Sequence, residues 1–247
     1  MARRTTAAVF AAAVSVTVAV GVASAAPQQD SAQLPDLVAV APGQLTVKDV
    51  GGRWQLGFSS AIENQGTGDL IVEGRAGDEA GRMDAVQLIP HADGSQSKRA
   101  LPTPLWFTPD GGHNHWHLPA AMRYELRTPD GGVAARDVKS GFCLGDRYPT
   151  TPNAPPRGYV TNCGARQPEL TTLRMGISPG YGDKYGPFLE GQQIDIDDLP
   201  AGDYLLLHRA NPDLALLESD TSNNESSLGV RISYPQGPDA RPVVTPR

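Results

Sequence analysis

The sequence predicts an all-β fold, a single-domain antiparallel β-sandwich with long functional loops. Three observations carry that prediction. Glycine (27) and proline (22) together make up a fifth of the 247 residues, which favours frequent turns and short strands. Short segments of alternating apolar and polar residues recur along the chain, the period of a half-buried strand. Beyond the N-terminal segment, no stretch long enough for an ordinary helix keeps a 3.6-residue apolar period.

Taken in order, the first clear alternation is Trp54, Leu56 and Phe58 against Gln55 and Gly57, preceded by the turn Asp49-Val50-Gly51-Gly52. Met122, Tyr124 and Leu126 alternate with charged residues and run into the tight turn Pro129-Asp130-Gly131-Gly132. Ile194 and Ile196 alternate with acidic residues before a turn at Pro200 to Asp203 and the apolar run Tyr204 to Leu207. Val230, Ile232 and Tyr234 close the series. Residues 35–235 therefore read as one domain, with no internal repeat. Residues 26–34 read as a polar linker, and residues 236–247, with Pro238, Pro242 and Pro246, as a poorly ordered Pro-rich tail.

Composition narrows the functional classes. A hydrophobic content of 39% supports a packed core, and 19% charged residues is too few for a disordered polyelectrolyte. The formal net charge is −6. A nucleic-acid groove needs a basic face, so no nucleic-acid partner is expected.

Residues 1–25 read as a signal peptide. Arg3 and Arg4 form a basic start, Ala7 to Val22 is apolar, and Ala23-Ser24-Ala25 offers the small residues a signal peptidase needs. Pro27-Gln28-Gln29-Asp30 follows without a basic flank, so a secreted protein with no stable membrane anchor is expected. The paired arginines leave a twin-arginine route open, although the residues after them match that signal poorly. Export also gives the two cysteines a role. Cys143 and Cys163 are the whole complement, and a lone pair in an oxidising compartment usually bonds. Closing that loop would stabilise the fold by about 3 kcal/mol.

Three of the five histidines fall in Gly112-His113-Asn114-His115-Trp116-His117. On an extended strand, positions i, i+2 and i+4 share a face. Gly111 and Gly112 just before would permit the slight bend that lets three imidazoles converge. An all-nitrogen donor set suits copper or zinc rather than calcium or magnesium. A second cluster, Glu218, Asp220, Asn223 and Asn224, is made of oxygen donors of the kind calcium takes. By composition alone it reads as an ordinary Asp/Asn/Ser turn between strands.

Several segments together resemble the lysyl oxidase family of copper amine oxidases. The histidine run is similar to that family's His-x-His-x-His copper motif. Lys139 to Asp146 (Lys-Ser-Gly-Phe-Cys-Leu-Gly-Asp) resembles the stretch that carries its cofactor lysine. Ser178 to Gly186, followed by Ile194-Asp195-Ile196, resembles the stretch that carries its cofactor tyrosine. Pro35-Asp36-Leu37-Val38, Phe58-Ser59-Ser60, Asn64-x-Gly66 and the Glu218 to Asn224 cluster match as well, in the same order along the chain.

The resemblance implies a lysine tyrosylquinone cofactor made from the protein's own side chains. Tyr185 would be oxidised by copper and O2, and the amine of Lys139 would add to its ring. Tyr185 is chosen over Tyr181 because it directly precedes Gly186, nine residues before the Ile194-Asp195-Ile196 strand. Only four lysines occur in the chain, so one at the matching position carries weight. The implied activity is oxidative deamination of primary amines, in lysine-containing peptides or proteins or in small amines, to an aldehyde with release of ammonia and hydrogen peroxide. The implied copper ligands are His113, His115 and His117. The implied calcium ligands are Asp36, the backbone carbonyl of Leu37, Glu218, Asp220, Asn223 and Asn224. The sequence also departs from the animal members. Gly112 stands where they carry a cysteine, and Met122-Arg123-Tyr124 replaces a region that holds a further histidine, so no catalytic base is assigned. A non-catalytic extracellular copper- and calcium-binding module is the alternative expectation.

Overall fold

The computed structural model describes residues 32–109, 113–119, 121–137, 141–189 and 191–247. The expected signal peptide, the first part of the linker, and Lys139 lie outside them. In chain order the strands are β1 (Leu37–Val50), β2 (Arg53–Asn64), β3 (Leu70–Ala76), β4 (Arg82–Pro90), β5 (Gln96–Ala100), β6 (Leu105–Thr108), β7 (His115–His117) and β8 (Met122–Arg127). They continue with β9 (Val133–Arg136), β10 (Tyr148–Pro149), β11 (Thr172–Ile177), β12 (Tyr181–Tyr185), β13 (Gln193–Asp195), β14 (Gly202–Ala210), β15 (Glu225–Ser233) and β16 (Val243–Pro246). No helix occurs among the described residues, so none there is long and apolar enough to cross a membrane. The all-β expectation holds.

Every strand pair is antiparallel. One sheet runs β1-β2-β12-β10, with β13 also on β2. A second runs β11-β3-β4-β6-β7, with β5 also on β4. The third runs β16-β15-β14-β8-β9. The Asp49 to Gly52 turn forms as read: Val50 pairs with Arg53 across two glycines, both at positive φ (63° and 84°). That is the backbone a two-residue hairpin requires and that glycine supplies without steric cost.

The core is made of the inward residues of these sheets, among them Leu56, Phe58, Ile62, Trp116, Tyr124, Leu126, Phe142, Ile194, Leu206 and Val230. Burial along β2 does not follow the sequence alternation, since Trp54 and Gln55 are both half-buried. From Leu56 to Ile62 every residue is buried, because β1 flanks one edge, β12 and β13 the other, and both faces are covered. Across the sheets, the Val40 carbonyl lies 3.0 Å from Nδ1 of His208 on β14.

The tail departs from expectation. Val243–Pro246 forms β16, paired with β15, and Arg241 donates to the Val47 carbonyl (2.9 Å). Proline is tolerated there because β16 is an edge strand and its prolines stand beside or at the end of the paired segment. The end of the linker is tied down too, since Ala32 bridges His91 and the Gln33 N–H donates to the Pro90 carbonyl (2.8 Å).

Candidate metal centre and tyrosine pocket

The three histidines converge, by a route the sequence only half indicates. The β6–β7 hairpin sets Trp106 opposite His117, Phe107 opposite Trp116 and Thr108 opposite His115. His115 and His117 project to one side, and Trp116 goes to the other, where it is buried against Phe107 (ring centroids 5.6 Å). His113 precedes the strand in a turn. The reversal comes at Asn114, whose φ is +22°, rather than from a uniformly extended run of five residues. Asparagine tolerates such a backbone better than most side chains.

The nitrogens that could bind an ion all lie within 4.8 Å of one another, and His113 Nδ1 and His117 Nε2 are 3.1 Å apart. Ligands held about 2 Å from a tetrahedral ion stand about 3.4 Å apart, so the cluster needs only a small adjustment to close on one. Thr108 Oγ1 sits 2.9 Å from His117 Nδ1, which fixes that ring and turns its Nε2 toward its neighbours. Imidazole nitrogen donors suit copper or zinc.

A loop clamps this strand from outside. The Trp116 N–H donates to the Cys163 carbonyl (3.0 Å), and the Arg166 N–H donates to the Asn114 carbonyl (2.8 Å). The Trp116 indole N–H donates to the Gln167 carbonyl (3.0 Å). Cys163 is disulfide-bonded to Cys143, as expected. The disulfide thus ties the histidine strand to the segment that starts at Gly141.

That segment reaches a second pocket. Phe142 and Leu118 exchange backbone hydrogen bonds of 2.8 and 3.0 Å, and the Phe142 ring meets Tyr185 edge-on at 5.4 Å. Tyr185, at the end of β12 and paired with Ser60, is buried. Among the described residues its hydroxyl has two acceptors at 2.8 Å, the Cys143 carbonyl and Asp183 Oδ2. Asp183 lies two residues earlier, so the alternation of β12 puts both side chains on one face. Asp183 is fully buried and held by the Arg147 Nε–H. Arg147 also donates to the Cys143 carbonyl (3.2 Å), and its guanidinium stands 5.3 Å from the Tyr185 ring centre.

The electrostatics follow from burial. Desolvation pushes the Asp183 carboxyl up to about 6, against the opposing pull of Arg147 and of the Tyr185 hydrogen bond. Burial, and next the Asp183 charge, raise the Tyr185 phenol well above its ordinary value, with Arg147 opposing. Lys139 lies outside the described residues, but both its flanks are within them. The Asp137 N–H donates to the Tyr124 carbonyl (3.1 Å), and Gly141 packs on His117.

The oxygen cluster also assembles. Asn223 Nδ2 donates to Asp36 (2.8 Å), the Leu37 N–H to Glu218 (2.9 Å), and Asn224 Nδ2 to Glu218 (2.7 Å). Burial raises the Glu218 carboxyl above its usual range. Asp220 sits in an exposed turn, where it accepts from the Ser222 N–H (2.8 Å). Asn223 Oδ1 and Asn224 Oδ1 are buried without a hydrogen-bond partner, and two orphaned oxygens beside carboxylates fit a hard cation.

Sequence reasoning assigned no role to Asp183, Arg147 or Thr108. The Asp-x-Tyr alternation was the one available signal. Arg147 comes from a different segment and had none.

Comparison with known proteins agrees with the geometry. Residues 94–237 match the family model described as lysyl oxidase. The chain is 34% identical over 117 residues to lysyl oxidase homolog 2 of Gallus gallus, covering 45% of this chain and 13% of that protein. Over 114 residues it is 32% identical to lysyl oxidase homolog 4 of Bos taurus and to lysyl oxidase homolog 1 of Homo sapiens, covering 14% and 18% of those proteins. The match therefore spans less than a fifth of these relatives' own length. With more than half of its residues inside the family model, and with the histidine cluster and buried tyrosine assembled around one disulfide-anchored segment, the chain belongs to the lysyl oxidase family.

Proposed function

We propose that this chain is a secreted copper-dependent amine oxidase acting on primary amines, foremost the ε-amine of peptidyl lysine, with O2 as acceptor. The products would be an aldehyde, ammonia and hydrogen peroxide. The observation that carries the reading is the reach of one short segment. Gly141 lies against His117, Phe142 pairs with Leu118 and meets Tyr185, and the Cys143 carbonyl holds the Tyr185 hydroxyl. Lys139 is two peptide units from Gly141, a distance of at most about 7 Å along the backbone.

On this reading His113, His115 and His117 hold copper, and Thr108 orients His117. Lys139 and Tyr185 are the precursors of lysine tyrosylquinone, which supplies the electrophilic carbonyl that a primary amine attacks. The Cys143 carbonyl and Asp183 orient the phenol hydroxyl, Arg147 lies near the ring, and the surrounding burial keeps water away. Asp36, Leu37, Glu218, Asp220, Asn223 and Asn224 would hold calcium and fasten the start of β1 to the β14–β15 connection. Export by a signal peptide over residues 1–25 supplies the oxidising compartment that the disulfide needs.

The test is peroxide release from a lysine-containing peptide by copper-loaded protein, with and without chelator. Chelation should abolish it, and Tyr185→Phe should abolish it while copper stays bound. Turnover that survives Tyr185→Phe refutes the assignment. One observation favours the non-catalytic copper- and calcium-binding module, namely that Tyr185 is only 4% exposed. A quinone redox stain of copper-loaded, aerated protein separates the two, since the module stays unstained.

A further inference from the structure

Asp183 is a carboxylate for which the histidine centre and the oxygen cluster have no use. It is fully buried on β12, and such a group is costly to keep unless it is paired or has work to do. Its two oxygens are divided. Oδ1 takes the Arg147 Nε–H, and Oδ2 stands 2.8 Å from the Tyr185 hydroxyl. The hydroxyl has one proton and, among the described residues, two acceptors at equal distance, Asp183 and the Cys143 carbonyl. A peptide carbonyl can receive a hydrogen bond but cannot keep a proton near neutral pH. A carboxylate can do both.

Resting on the reading above, we propose that Asp183 is the base that takes the phenolic proton of Tyr185 when the ring is oxidised, and that Arg147 positions it. The Tyr185 O–H bond breaks, its electron pair stays on the phenolic oxygen, and the proton passes to Asp183 Oδ2. A neutral carboxylic acid and a phenolate result, with no change of net charge in the pocket. A phenolate is more readily oxidised than a phenol, and His113, His115 and His117 would hold the copper that, with O2, supplies the oxidant. Arg147 suits this exchange because it touches both partners. It is bonded to Asp183 and lies 5.3 Å from the ring centre, so its charge favours whichever of the two is negative. Gly182, between the two side chains, permits the close approach of β12 to residue 148. A side chain at Gly182 would lie 2.4 Å from the Tyr148 ring, while the alternation of β12 aims Asp183 and Tyr185 the same way.

The experiment compares wild type with Asp183→Asn and Asp183→Glu. In metal-free protein, the tyrosine Raman doublet, taken as the difference from Tyr185→Phe, should report a strong hydrogen-bond donor in wild type and a weakened one in Asp183→Asn. In copper-loaded, aerated protein, peptide mass mapping should show the Lys139–Tyr185 link forming at least tenfold more slowly in Asp183→Asn at equal copper occupancy. Asp183→Glu should restore part of the rate. In wild type the rate should rise with pH through about 6, where Asp183 ionises, and Asp183→Asn should lose that step. A link formed at the wild-type rate in Asp183→Asn overturns the assignment while leaving the amine-oxidase reading intact. If wild type itself forms no link, the amine-oxidase reading falls and this assignment with it. Should Asp183→Asn fail to fold, Asp183→Glu decides the matter: a displaced pH step supports the role, and an unchanged profile overturns it.

Discussion

Gly141 lies flush against His117. A methyl group added to Gly141 would stand 2.8 Å from His117 Cβ and 3.1 Å from the Leu118 carbonyl oxygen, closer than such carbons approach without something moving. The segment that leads to Tyr185 and the strand that carries the histidines are thus in contact at the one residue type small enough to allow it.

Gly141→Ala should therefore act on both pockets together. Overpacking of this kind costs about 1–3 kcal/mol, and relief requires Phe142 to retreat from Leu118 or His117 to turn away from Thr108. The expected outcome is a folded protein with a lower melting temperature and weaker copper binding, measured by thermal unfolding and metal titration. Wild-type affinity in this variant would show that the contact does not constrain the histidines.

The disulfide makes a separate prediction. Cys163 receives the Trp116 N–H on the histidine strand, and Cys143 receives the Tyr185 hydroxyl. The bridge closes a loop with a sequence separation of 20, so Cys143→Ala together with Cys163→Ala should cost about 3 kcal/mol by chain entropy. Both carbonyls survive the substitution. Any loss of copper affinity beyond that expected from unfolding then measures how far the bridge holds the strand in place. Denaturant unfolding gives the first quantity and copper titration the second.

The divide between what could be read in the sequence and what could not follows the range of the interactions. Trp54, Leu56 and Phe58 announce β2 by local alternation, but burial of both faces from Leu56 onward depends on strands up to 140 positions away and leaves only a run of small and apolar residues. His113, His115 and His117 were legible because ligands i, i+2 and i+4 belong together on a strand, yet it is the backbone of Asn114 that brings in the first of them. Pro242 and Pro246 made the tail read as unstructured, although an edge strand accommodates them. The i, i+2 spacing of Asp183 and Tyr185 puts them on one face of a strand, but nothing in it marks Asp183 as the partner of the hydroxyl. The role of Asp183 depends on Arg147, which is 36 positions earlier and has no pattern to mark it.

Calcium removal should loosen the chain ends. Asp36 and Leu37 at the start of β1 meet Asn223 and Glu218 across more than 180 positions, and Asn223 Oδ1 and Asn224 Oδ1 are buried without a hydrogen-bond partner. A ligand present at a hundred times its dissociation constant stabilises by about 2.7 kcal/mol, roughly 5–10 °C in melting temperature for a domain of this size. A calcium chelator should remove that increment from wild type and have no effect on Asp36→Ala. Equal melting curves for wild type with and without chelator would exclude the site.

The pH dependence of stability should separate two buried groups of opposite sign. Burial lowers His208 from 6.5 to about 4, with the Val40 carbonyl opposing, and raises Asp183 from 3.8 to about 6. His208 binds its proton more weakly in the folded state, so its contribution is complete above pH 6.5 and lost as pH falls toward 4. Asp183 binds its proton more tightly when folded, so its contribution is complete below pH 3.8 and lost as pH rises toward 6. Each amounts to about 3 kcal/mol, and between pH 4 and 6 they oppose each other. In metal-free protein the wild-type profile from these two groups should be nearly level in that window. Asp183→Asn should gain stability relative to wild type as pH rises from 4 to 6, and His208→Gln should lose it over the same range. Urea unfolding at half-unit steps measures both differences, and profiles that stay parallel to wild type would show that neither group titrates between its folded and unfolded values.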